Sequence, residues 1–138
     1  MSSTYYIALT VMTLLDMNLE KLREELGGKF KLATVFYVAN ETLSAIWDLH
    51  IRGYVHRDIK PTNFCLGVGT MASKVFLIDF GETVKKGKKI KYSTPDAYSL
   101  PYWSIESHKR GPAKERADIE SWFYMILDMC VHSLLKEY

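Results

Sequence analysis

The sequence predicts an α+β domain, mostly helical with small strands, on three observations. Two long stretches, from Leu32 to about Ile51 and from Ile119 to about Leu135, repeat apolar residues at helical steps. Two short apolar runs, Phe64–Leu66 and Lys74–Ile78, have the length of strands and are joined by the loop Gly67–Ser73. Between helix and strands lies HRDIKPTN, residues 56–63, a loop dense in charged and amide groups. A length of 138 residues suggests one domain.

In chain order, Tyr5–Met12 is rich in aromatic and β-branched residues and reads as a buried strand. Asn18 is placed to cap a short amphipathic helix through Leu26, and Gly27-Gly28 stops it. In the next helix Val35, Val38, Ala39, Thr42, Ala45, Ile46 and Leu49 share a face, and Gly53 ends the element. Tyr54-Val55 is an extended step into the charged loop. The strand pair follows, then the turn Asp79-Phe80-Gly81. Glu82 to about Trp103 reads as an irregular segment, of a length usual for functional loops. The last helix carries Trp122, Phe123, Met125, Ile126, Leu127, Met129 and Val131 on every side and is expected to be a central buried pillar.

Apolar residues make up 48% and charged residues 25%, the balance of a soluble globular protein. A net charge of +2 gives no global case for nucleic acid or an anionic membrane. The apolar run Tyr5–Leu15 lacks a basic segment before it and a cleavage site after it, and is too short to span a bilayer. An intracellular protein, with no nucleic-acid or membrane partner, is expected. Cys65 and Cys130 fit no metal spacing and read as buried free thiols. His50, His108 and His132 show no ligand spacing either.

The charged loop has chemical capacity of its own. The Asp58 carboxylate can accept a proton from a hydroxyl, the Lys60 ammonium can hold a phosphate oxygen, and the Asn63 carbonyl is a hard ligand suited to Mg²⁺. Asp79 is a second hard ligand, which the strand hairpin can return beside Asn63. Base, phosphate clamp and metal pair are the parts phosphoryl transfer needs. Each residue has a plainer reading: an exposed Asp58–Lys60 ion pair, a turn-forming Asn63, a turn-initiating Asp79. Asp118 could serve as a simple helix cap. The lysines at 85, 86, 88, 89 and 91 make either a solvated loop or a docking patch for acidic or phosphorylated segments.

His56-Arg57-Asp58-Ile59-Lys60-Pro61-Thr62-Asn63 resembles the protein-kinase catalytic loop, and Asp79-Phe80-Gly81 resembles the kinase metal-binding turn. The stretches LHIRGYVHRDIKPTNFCLG, LIDFG and ADIESWFYMIL are similar to the casein kinase I superfamily, including its tau-tubulin kinase branch. The resemblance implies a protein-kinase-like fold for residues 1–138, as a partial kinase domain: hinge strand, large-lobe helices, catalytic-loop hairpin, activation segment and central helix. It implies a serine/threonine protein kinase that moves the γ-phosphate of ATP to protein hydroxyls with Mg²⁺. In that frame Asp58 is the catalytic base, Lys60 steadies the phosphate, and Asn63 and Asp79 bind Mg²⁺. Met12 is the gatekeeper, Thr13 and Leu15 bond the adenine through their backbone, and Cys65 lies beneath it. His56 ties the loop to the turn and to Asp118, while Ser99 bridges base and Lys. Substrates are proteins, in that family acidic or phospho-primed. Glu82 departs from the family, which has an apolar residue there.

The glycine-rich loop, strand Lys and helix Glu of a kinase small lobe have no counterpart in the sequence. The expectation is a nucleotide site with a floor and no roof, little turnover by this chain alone, and an exposed inter-lobe surface open to a partner. The alternatives are a non-catalytic binding module and a segment of a longer active kinase.

Overall fold

The computed structural model describes residues 11–134. Strand β1 (Leu15–Asn18) runs straight into helix α1 (Leu19–Glu25), because the Asn18 side chain accepts from the Lys21 backbone N–H and caps it. Gly27 and Gly28 follow at φ 79° and 87°, a left-handed turn that β-carbons disfavour, so the helix ends there. Helix α2 (Leu32–His50) buries Val35, Val38, Thr42, Ile46 and His50, the face set by its sequence spacing.

Strand β2 (Tyr54–Val55) leads into the charged loop, which closes with a 3₁₀ turn at Pro61–Asn63. Strands β3 (Phe64–Gly67) and β4 (Val75–Leu77) form the expected hairpin, with Phe64 opposite Leu77 and Leu66 opposite Val75. The β1 strand pairs antiparallel on the other side of β3, giving the order β1-β3-β4. A second, two-stranded sheet joins β2 to β5 (Val84–Lys85). At the hairpin corner Gly67 donates to Lys74 O at 3.0 Å, and a β-carbon there would collide with the Met71 carbonyl. Helix α3 (Ile105–His108) is a single turn capped by Ser104, and α4 (Glu115–Leu134) completes the fold.

The core lies between α2, α4 and the three-stranded sheet, around Leu19, Phe30, Val35, Ile46, Phe64, Met125 and Met129. Trp122 of α4 donates its indole N–H to Thr42 Oγ1 of α2 at 2.9 Å, and Thr42 passes its own hydrogen to Val38 O. Arg23 of α1 reaches Asp128 of α4 at 2.7 Å, a partly buried tie between distant parts of the chain. Among the described residues no helix is long and apolar enough to cross a membrane.

Several expectations need correction. Residues 5–10 of the strand expected at Tyr5–Met12 lie outside the described residues, and Val11–Leu14 form no strand. The paired strand is Leu15–Asn18, where β3 supplies a partner. Helix α4 begins at Glu115, not Ile119, because its first turn is built on charged residues and small Ala117 rather than on large apolar ones. Nor is α4 covered all round: Phe123, Leu127 and Val131, one row at four-residue steps, are exposed. The segment from 82 to 103 holds β5 and a 3₁₀ turn at Leu100–Tyr102. Cys65 is buried as expected, but Cys130 is only half-buried.

Candidate active site

The charged loop is fixed by one carboxylate on a helix. Asp118, in the first turn of α4 and 1% exposed, accepts from His56 N at 2.7 Å and from Arg57 N at 2.8 Å. It also pairs with His50 Nε2 of α2 at 2.8 Å. These bonds let Arg57 sit at φ 75°, a conformation a non-glycine residue takes only when its surroundings impose it. Asp118 is therefore a loop anchor and not a simple cap. His56, wholly buried, ties the loop forward: its Nε2 lies 3.0 Å from Ile78 O, next to the Asp79 turn. Burial lowers the His56 pKa, with Asp118 and the Ile78 bond opposing the shift.

The loop's polar side chains converge. Lys60 Nζ lies 3.0 Å from Asp58 Oδ2, 3.1 Å from Asp96 Oδ2 and 2.7 Å from Ser99 Oγ. Ser99 in turn donates to Asp58 Oδ1 at 2.6 Å, so its hydroxyl bridges acid and amine as the resemblance implied. Burial acts to lower the Lys60 pKa, but its contacts with Asp58 and Asp96 prevail and hold it above the ordinary value. The exposed ion pair of the plainer reading does not describe this cluster: the Lys60 side chain is 9% exposed.

Asn63 is buried and donates Nδ2 to the backbone and side chain of Asp58, at 2.8 and 3.0 Å. Its carbonyl oxygen remains available as an acceptor. The hairpin returns the chain beside it, since Ile78 N donates to Asn63 O at 2.9 Å. Asp79 follows at φ 61°, and its Oδ1 accepts from Gly81 N. Asp79 shares a cavity of ≈380 Å³ with Asp58 and Lys60, lined on the far side by residues of the 82–103 segment. The hard oxygens of Asn63 and Asp79 suit Mg²⁺. Among the described residues no cluster of three or more His, Cys, Asp or Glu side chains could hold a metal ion.

The expected adenine-binding residues lie on, or just before, the paired strands β1 and β3. Met12 is 67% exposed and Thr13 is exposed in a stretch without regular structure. Leu15 opens β1 opposite Gly67, and Cys65 sits on β3 opposite Asn18. None of these four lines this cavity. Burial and nearby Asp16 push the Cys65 thiol up, so it stays protonated.

Three residues escaped the sequence reading. His50 supports Asp118, and its lone position on an apolar face gave no hint of that. Tyr92 lies under the Arg57 guanidinium at 4.8 Å and bonds Gly111 O. Asp96 accepts from Ser99 N at 2.7 Å, and the spacing of Asp and Ser three residues apart was a cap signal that could have been read.

Comparison with known proteins bears on this geometry. Its named relatives are serine/threonine-protein kinases. The Caenorhabditis elegans protein named "Serine/threonine-protein kinase spe-6" is 36% identical over 126 residues, covering 86% of this chain and 33% of that protein. "Putative serine/threonine-protein kinase ZK507.3", from the same organism, is 34% identical over 91% of this chain and 31% of its own length. "Putative serine/threonine-protein kinase ZK507.1" is 31% identical over 91% of this chain and 40% of its own. The chain thus spans about a third of the length of these relatives. No family model matches it.

Proposed function

We propose that this chain carries the catalytic-loop half of a serine/threonine protein kinase of casein kinase I type, which transfers the γ-phosphate of ATP to protein hydroxyls. The observation that carries the reading is the set of bonds joining Asp58, Lys60, Asn63 and Ser99, of which Asp58, Lys60 and Ser99 line one cavity with Asp79. Asp58 is the base: its carboxylate is held by Ser99 and Asn63 and so aimed at the position an incoming hydroxyl would take. Lys60 is the cation for the transferred phosphate. Asn63 and Asp79 would hold Mg²⁺, which when bound neutralises charge on the phosphate oxygens. Met12, Thr13, Leu15 and Cys65 would meet the adenine along the β1–β3 edge.

The test is binding of ATP to this chain by calorimetry, with and without Mg²⁺, beside Asp79→Asn. Binding that needs Mg²⁺ and weakens about tenfold or more in the variant is expected, since losing a charged metal ligand costs at least that much. Binding indifferent to both would overturn the reading. Radiolabelled transfer to casein by the chain alone is expected to stay below detection, because no segment of the sequence supplies a cover for the phosphates.

A further inference from the structure

The cavity raises a question of charge that the proposed chemistry does not answer. Four carboxylates line it, Asp58, Asp79, Glu82 and Asp96, against two cations, Arg57 and Lys60. Each cation is already paired with carboxylates of this set, though Arg57 Nε has no partner. Lys60 has three donors and three partners, and Arg57 donates to the carbonyl and carboxylate of Glu82 at 3.1 and 3.2 Å while lying on Tyr92. Asp58 and Asp79 have roles in the transfer itself. Glu82 and Asp96 do not, and their side chains are 53% and 59% exposed at the rim of the cavity.

Asp96 is a built feature and not a loose surface acid. One oxygen accepts from Ser99 N, the other meets Lys60, and these bonds keep it ionised, led by the Ser99 contact. The lysines between 85 and 91 do not offset it, since none lines the cavity and Lys86 is paired with Glu115 at 2.7 Å. An acidic residue entering beside Asp58 would add to a lining with four carboxylates against two cations, and a basic residue would offset that excess.

We propose that Asp96 and Glu82 select a substrate segment with a basic residue beside the accepting hydroxyl. This rests on the reading above only in placing that hydroxyl at Asp58. It names a substrate class opposite in charge to the acidic or phospho-primed one implied by sequence resemblance.

The test is titration of the 138-residue chain, without nucleotide and at low salt, with labelled peptides of one sequence. Each has a central Ser flanked by Arg, Ala or Asp. The Arg peptide is expected to bind about tenfold tighter than the Asp peptide, about threefold from each exposed carboxylate. Asp96→Asn keeps an acceptor for Ser99 N while removing charge, and Glu82→Gln is likewise isosteric. Each should cut the ratio about threefold, and the double variant should bring it near one. Equal or tighter binding of the Asp peptide, a ratio unchanged in the double variant, or no saturable binding of any peptide would each overturn the proposal. Phosphate transfer is not the readout, so failure of the kinase chemistry and failure of this selectivity register in different experiments.

Discussion

The two walls of the cavity are held in opposite ways. On one side, residues 56–63 bury nearly everything: His56 is wholly enclosed, and Ile59, Lys60 and Asn63 are each under a tenth exposed. Most of their polar groups are satisfied, by α4, by Ile78 just after β4, by Ser99 and by the loop itself, while Arg57 Nε is buried without a partner. On the other side, residues 82–98 are mostly exposed and held by surface contacts such as Arg57–Glu82 and Lys86–Glu115. A buried polar bond is costly to break because water cannot replace it, whereas an exposed one exchanges with solvent at little cost. Asp58, Lys60 and Asn63 thus stand on the wall that is costly to deform, and Glu82 and Asp96 stand on the exposed one.

The strongest way to break this contrast is Asp118→Ala. It would leave two backbone N–H groups and His50 without their acceptor in the interior, at a cost of about 3 kcal/mol or more in urea unfolding.

Acid should act on the same wall. His56 is held neutral by burial, with its pKa below the ordinary 6.5. The unfolded chain takes up a proton below that value before the folded one does, so this contribution is intact above 6.5 and lost as pH falls from there toward the folded pKa. Urea unfolding followed from pH 7.5 to 5 should show that decline, and His56→Gln should flatten it.

Ser99→Ala tests the seam between the walls. Its hydroxyl serves both Asp58 and Lys60, and its loss should cost about 1 kcal/mol of stability. The smallest effect belongs to the exposed wall: Glu82→Gln should move stability by under about 0.5 kcal/mol. A larger loss there than at Ser99 would erase the contrast.

Much of this was legible in the sequence because it is local. Helical spacing marked the buried face of α2, Asn18 and Gly27-Gly28 bounded α1, and the hairpin showed as two apolar runs around a turn. The resemblance to a kinase loop implied that Asp58, Lys60 and Ser99 would meet, and the structure joins them. What stayed hidden depends on partners distant in the chain. β5 exists because β2 lies beside it, and a two-residue strand carries no pattern of its own. His50 and Asp118 meet across 68 positions. The start of α4 was misplaced because its first turn is selected by bonds to the loop rather than by apolar spacing.

Gly67 gives the hairpin a further meaning. The connecting turn at Met71 passes so close that no side chain is admitted at the corner, and this tightness helps fix which residue of β4 faces which residue of β3. Asn63 precedes one strand and Asp79 follows the other by two residues, so their mutual placement is inherited from a missing methyl at the far end. An alanine at that corner would send its error along both strands and deliver it, as misalignment, to Asn63 and Asp79.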